Sequence, residues 1–91
     1  MNPTINQFDS NAAQRINDGV EEVLLDIEGL AFVSCEDGKL FAIHDGSLAN
    51  EHVFVAPVID LARRAGLELV SDVSNSNRDY TSGNERVRWF A

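Results

Sequence analysis

Residues 30–44, with the sequence Leu-Ala-Phe-Val-Ser-Cys-Glu-Asp-Gly-Lys-Leu-Phe-Ala-Ile-His, decide the fold of this chain. Two runs rich in aromatic and β-branched residues flank a carboxylate-glycine turn, which is the strongest hairpin signal in the sequence. Gly38 can adopt the positive φ that a tight turn demands, and Asp37 tolerates it better than most residues. Because an isolated hairpin is marginal in water, the rest of the chain must add a further strand and a covering helix.

The segment before the hairpin supports two interpretations. Its apolar residues recur at helical spacings, and Gly29 follows where a C-terminal glycine belongs, which predicts an amphipathic helix over residues 10–28. The alternative is a short helix that ends at Gly19, with residues 20–27 as a third strand, because acid-glycine pairs recur as they do in the turns of a β-meander. Gly19 inside a helix costs about 1 kcal/mol relative to Ala. The adjacent pairs Glu21-Glu22 and Leu24-Leu25 break strand alternation, so the helix is favoured.

The second half of the chain predicts one helix and two strands. Because Pro57 suits a first helical turn, the helix is expected to begin between Val53 and Ala56, and Gly66 ends it after Ala65. The residues expected on its buried face are Phe54, Val58, Leu61, Ala62 and Ala65.

A strand over residues 67–73 and a last strand over residues 85–90 follow the second helix. Leu67 and Leu69 are expected to face inward in the first of them, and Val87 and Trp89 in the second. The order α-β-β-α-β-β predicts a single α+β domain over residues 1–91, in which an antiparallel sheet of about four strands carries two helices on one face. Residues 1–9 are expected to be a weakly ordered lead-in.

Composition limits the classes of function. The single cysteine excludes an internal disulfide and fits a reducing cytoplasm, and no secretory signal or 20-residue apolar run is present. The net charge is −8, and residues 1–60 hold eleven of the fifteen acids but only two of the seven basic residues. Such a chain is repelled by nucleic acid and by anionic lipid, and it is attracted to basic protein surfaces.

No catalytic or cofactor motif is present, so neither enzymatic activity nor a cofactor is predicted. Cys35, His44 and His52 are the candidate soft metal ligands, but their spacings of nine and eight match no structural zinc pattern. Together with the two histidines, Asp45 and Ser47 supply the three residue types of a hydrolytic triad. The sequence Asp-Gly-Ser is, however, common in ordinary turns. Glu36 and Asp37 are neighbouring carboxylates for which a solvated role is expected rather than acid-base catalysis.

The candidate partner-binding residues fall into two groups. On the helix interpretation, Asp18, Glu22 and Asp26 form an i, i+4 row that no cation offsets, and like charges in such a row cost a few tenths of a kcal/mol per pair. A spaced row of carboxylates can imitate a phosphate backbone, and Leu25 would be an exposed apolar contact on the same face. The second group lies in a polar loop over residues 74–84. The full set of candidates is Asp18, Glu21, Glu22, Leu25, Asp26, Glu28, Arg78 and Tyr80.

These observations favour a small acidic interaction protein that docks on a basic surface of a larger protein. In size and charge alone, without a motif, the chain is similar to inhibitors that phages and mobile elements direct against host nucleic-acid-binding machinery. The expected function is therefore that of an anti-defence, anti-CRISPR-like nucleic-acid mimic. The alternative is an accessory or ligand-sensing domain that forms a homodimer through an edge strand such as residues 85–91 or through an apolar helix face.

Overall fold

The computed structural model describes residues 8–27, 31–45, 52–75 and 85–91; for residues 45, 52–54, 73–75 and 85 it describes the backbone only. The elements in chain order are α1 (Ala12–Asn17), β1 (Glu22–Ile27), β2 (Ala31–Glu36), β3 (Lys39–Asp45), α2 (His52–Arg64), β4 (Leu69–Asn75) and β5 (Glu85–Phe90). The strands form one antiparallel sheet in the order β1-β2-β3-β5-β4. The predicted α+β class is confirmed, with one strand more than expected.

The hairpin of β2 and β3 is confirmed. Its two-residue loop has φ values of 53° at Asp37 and 76° at Gly38, the signs that a type I′ turn requires. Glu36 is paired with Lys39 next to the turn, and the register continues without a shift to Ala31 and His44.

The favoured long helix is wrong, and the alternative is correct. α1 ends at Asn17, and the N–H groups of Gly19 and Val20 donate to the carbonyl oxygens of Ile16 and Arg15, as in a Schellman motif. Gly19 has a φ of 75°, which ends the helix and turns the chain into β1. The apolar residues that matched a helical period are divided between the two elements.

α2 begins one residue before the predicted interval, at His52, so Pro57 lies inside the helix rather than in its first turn. Pro57 has no N–H to donate to the carbonyl group of Val53, and the helix continues because its inner face packs on the sheet. Gly66, with a φ of 77°, ends the helix as predicted. Four of the five expected inward residues are buried, namely Val58, Leu61, Ala62 and Ala65. The side chain of Phe54 lies outside the described set.

The last strand has its predicted bounds but not its predicted position or orientation. β5 pairs with both β3 and β4, so it is a central strand and not the expected dimerisation edge. Phe90, paired with Leu40, points to the helices and is 3% exposed, whereas Val87 and Trp89 point the other way, where Val87 is nonetheless buried at 4% exposure and Trp89 is half-buried. The prediction assigned the opposite alternation because Trp89 and Val87 are as apolar as Phe90.

β4 begins two residues later than the predicted strand and forms one edge of the sheet. Leu67 is half-buried against the core and Leu69 is paired with the inward Phe90, so both lie on the helix side as predicted, but Leu69 is 53% exposed at this edge. A register shift between Leu69 and Ser71 makes Val70 the extra residue of a bulge.

The core lies between the helices and one face of the sheet, so the expected placement of both helices on one face is confirmed. Buried residues of α1 and α2 pack against alternate residues of the strands, such as Val33 of β2, Leu40 of β3 and Phe90 of β5. Within the described part of the chain no helix is long and apolar enough to cross a membrane. Of the predicted lead-in, residues 1–7 lie outside the described residues, and Phe8 packs at the edge of the core.

Candidate docking surface on the sheet

The face of the sheet opposite the helices, here called the distal face, carries large apolar side chains. Strand alternation and register place eleven residues with described side chains on it: Val23, Asp26, Phe32, Ser34, Glu36, Lys39, Phe41, Ile43, Ser71, Val87 and Trp89. Val23 is 52% exposed and Phe32 is 37% exposed, which is high for residues of this size. Contiguous exposed apolar groups of this kind often mark an interaction site.

An aromatic pair lies at one end of the distal face. The rings of Phe41 and Trp89 are stacked, with centroids 5.7 Å apart and planes 16° from parallel. Lys39 Nζ lies 5.8 Å from the centroid of the Trp89 ring, within cation-π range. These contacts fix a tryptophan, the residue type most enriched at binding hot spots, in one orientation on a rigid strand.

Carboxylates border the distal face. Asp26 is exposed and is paired across the strands with Phe32, while Glu36 lies opposite Lys39. The acids therefore lie beside the apolar residues, in the arrangement of an apolar centre and a polar rim that protein interfaces commonly have.

Four exposed carboxylates lie where α1 ends, β1 begins and the β2–β3 hairpin turns. The pairing of Glu22 with Cys35 brings Glu21 beside Glu36, and a Cβ on Gly38 would lie 4.0 Å from the carbonyl oxygen of Ile16 at the end of α1. We call this group the acidic corner, and it consists of Asp18, Glu21, Glu36 and Asp37. None of them forms an ion pair with a basic residue in the described part of the chain.

The predicted helical row of carboxylates does not exist, because its members belong to different elements. Asp18 caps α1 and accepts a hydrogen bond from Gln14, Glu21 precedes β1, and Glu22 and Asp26 lie on opposite faces of β1. Asp18 and Glu21 are brought together at the acidic corner, and Asp26 borders the distal face. Glu28 lies outside the described residues.

One basic residue, Arg15, forms an ion pair with a carboxylate of the predicted helical row, Glu22. Arg15 Nη1 donates to both carboxylate oxygens of Asp9, at 2.9 and 3.1 Å, and its Nε donates to Glu22. The hydrogen bond from Arg15 lowers the pKa of Asp9, and the two carboxylates raise the pKa of Arg15. Glu22 thus ties β1 to α1, and it is not a free acidic contact as the sequence prediction required.

The remaining predicted contacts are not assembled into a site. Leu25 faces the helices and is half-buried against the core, so it is not the exposed contact that was expected. Arg78 and Tyr80 lie in residues 76–84, which are outside the described ranges.

The residues considered for metal binding and nucleophilic catalysis are not brought together where they are described. Cys35 and His44 share the helix-side face but are separated by about 13 Å along the strands. The side chains of His52 and Asp45, and all of Ser47, lie outside the described set. No three potential metal-ligating residues among the described ones cluster around a common point.

Cys35 is a core residue with 2% exposure. Its Sγ donates a hydrogen bond to the carbonyl oxygen of Val20 at 2.7 Å, and desolvation by burial raises the pKa of the thiol. Both effects hold Cys35 in the unreactive protonated form.

The sequence prediction missed a buried polar cluster between β3, β5 and β4. Arg88 is 9% exposed, and its Nη1 lies 2.6 Å from Nε2 of His44, which is 4% exposed. Since arginine is always a donor, Nε2 accepts and the proton of a neutral imidazole is on Nδ1. Asp72 accepts hydrogen bonds or ion pairs from Arg86 at 2.9 Å and from Arg88 at 3.3 Å, and the Arg86 bond lowers the pKa of Asp72. Side chains of a strand alternate between its two faces, so Arg88 lies on the same face as Phe90. An inward Phe90 would therefore have identified Arg88 as an inward residue.

No protein-family model, curated protein or solved structure matches this chain.

Proposed function

We propose that this chain is a non-enzymatic interaction protein whose distal face docks on a larger protein that presents apolar and basic groups together. The observation that carries the proposal is the exposed apolar surface of Val23 and Phe32, with Trp89 and Phe41 beside it, in a sheet whose other face already packs against both helices. Burying these side chains in a complex removes apolar area from water, which stabilises association.

The carboxylates near the distal face favour a partner with a basic surface. Asp26 and Glu36 lie on the distal face itself, the rest of the acidic corner lies at one end of the sheet, and Lys39 is the only described base on the distal face. Acidic borders accelerate association with basic surfaces and disfavour acidic ones. A protein whose basic surface normally contacts nucleic acid has the required chemistry, so the chain would act as an inhibitor that occupies such a site in the cytoplasm.

Capture from lysate with matched variants tests the proposal. The wild-type chain, Phe32→Ser, Asp26→Lys and Asp60→Lys are immobilised and washed at low and high salt, and the bound proteins are identified by mass spectrometry. Asp60 is an exposed acid on α2, so its reversal changes the net charge as much as Asp26→Lys does but on the helix side.

We expect the wild-type chain and Asp60→Lys to retain the same nucleic-acid-binding protein at low salt and to release it at high salt or with competing nucleic acid. Phe32→Ser and Asp26→Lys should each reduce its recovery at least tenfold. If Asp60→Lys reduces recovery as much as Asp26→Lys, net charge rather than the distal face governs binding, and the proposal fails.

A further inference from the structure

The two edges of the sheet differ in how they could accept another strand. β1 and β4 are the terminal strands of the sheet, and no described strand pairs along the outer side of either one. An unpaired edge presents backbone donors and acceptors that can pair with another chain. Beyond the bulge at Val70, β4 keeps a regular register with β5 over residues 71–75, which is long enough for a strand partner.

Apolar groups are exposed at the start of β4. Leu69 is 53% exposed and Val70 is 52% exposed, and no lysine or proline occurs in the strand to prevent pairing. A groove between α2 and β4 continues from these residues. Four charged residues line this groove, and its apolar lining consists of Val55, Ile59, Ala62, Leu67, Leu69 and Phe90.

Charge separates the β4 side from the rest of this acidic molecule. The described side chains from α2 to β5 carry four arginines and three carboxylates, a net of +1, whereas those from Asp9 to Lys39 carry seven carboxylates and two basic groups, a net of −5. The acid within β4, Asp72, is already bonded to Arg86 and Arg88. Two copies of the chain therefore repel least when they approach through β4, and repel most through β1.

We propose that the partner at the β4 edge is a second copy of this chain, and that the two β4 strands pair antiparallel about a two-fold axis. Antiparallel pairing of identical strands is self-complementary, so the contact closes as a dimer. It joins the sheets of the two copies and places the two α2 helices on the same side. The distal faces stay accessible on the opposite side, so this inference does not depend on the proposed function.

A matched pair of substitutions tests the dimer. Val70→Lys places a charge at the β4 edge, and Val23→Lys places the same charge on a valine of equal exposure, 52%, at the other edge strand. Light scattering coupled to size exclusion should give twice the chain mass of 10.0 kDa for the wild type and for Val23→Lys, and the single chain mass for Val70→Lys. An apolar strand contact should also survive 0.5 M NaCl.

Amide hydrogen exchange provides a second readout that needs no variant. Protection of amides in β4 should fall when the wild-type chain is diluted below its dimerisation range, while protection in β1 stays constant. A monomeric wild type at 100 µM overturns the proposal, as does equal dissociation by both substitutions. A mass that grows with concentration beyond the dimer also overturns it, because that result indicates open-ended pairing of β1 with β4.

Discussion

At the scale of single residues, three carboxylates and one thiol are bonded to groups that lie at least six residues away in the sequence. Arg15 is bonded to Asp9 and Glu22, Asp72 is bonded to Arg86 and Arg88, and Cys35 is bonded to the carbonyl group of Val20. None of these pairs could be read from local sequence, because each depends on how α1 or the strands are placed.

Cys35 should be unreactive in the folded protein. Burial and the hydrogen bond to Val20 keep the thiol protonated and inaccessible, so an aromatic disulfide reagent at pH 8 should label it at least a hundredfold more slowly than in 6 M urea. Labelling is followed by absorbance of the released thiolate. Complete reaction within minutes under native conditions would show that Cys35 is exposed and contradict the position of β2.

The ion pairs of Asp72 should make stability dependent on pH in the acid range. Because Arg86 lowers the pKa of Asp72 in the folded state, the ionised carboxylate stabilises the fold above the unfolded pKa of about 3.8, and this contribution is lost as pH falls through the lower folded value. Asp72→Asn should cost about 1 kcal/mol at pH 7, and the difference from wild type should shrink below pH 4. Urea unfolding at several pH values measures this difference in the free energy of unfolding. A difference that stays constant down to pH 3 would contradict the stabilising ion pairs of Asp72.

At the scale of elements, the hairpin and the end of α2 could be predicted because short-range chemistry determines them. Asp37-Gly38 specifies a type I′ turn, and Gly66 ends α2 through a positive φ. Gly19 carries the same signal for α1. The apolar residues that follow it also recur at helical spacings, which favoured a longer helix through Gly19. A helical and a strand pattern coincide there because the bulge between Val23 and Leu25 shifts the alternation of β1 by one residue.

The orientation of β1 gives a direct prediction for stability. Leu25 packs on the core and Val23 is exposed on the distal face, so Leu25→Ala should destabilise the fold by about 1–2 kcal/mol and Val23→Ala by no more than about 0.5 kcal/mol. Chemical denaturation midpoints of the two variants measure this difference. Equal costs, or a larger cost for Val23→Ala, would contradict the face assigned to this strand.

At the scale of the whole molecule, the fold class followed from the sequence, but the surface did not. The count of helices and the antiparallel sheet depend on local patterns, whereas the distal face exists only because β5 inserts between β3 and β4 with Phe90 inward. That insertion places Trp89 beside Phe41 and turns a predicted core residue into a surface one. The acidic corner likewise requires the pairing of β1 with β2, and it replaces the predicted helical row.

The same arrangement separates two surfaces with different chemistry. Among the described residues, the β1 side and the distal face combine exposed apolar groups with an excess of carboxylates, and the β4 side combines exposed apolar groups with nearly balanced charge. On the two proposals above, the first surface docks on a basic partner and the second pairs with another copy of the chain. Val23→Lys should therefore impair only partner capture, and Val70→Lys only self-association.

Site-specific photo-crosslinking from position 32 tests the central proposal most directly. A benzoylphenylalanine replaces Phe32 in one variant and Arg63, an exposed residue of α2, in a control, and both are irradiated in living cells before denaturing purification. We predict one covalent adduct with a single nucleic-acid-binding protein from position 32, and none with that protein from position 63. Adduct formation from position 63 alone, or the same adduct from both positions, would contradict docking through the distal face.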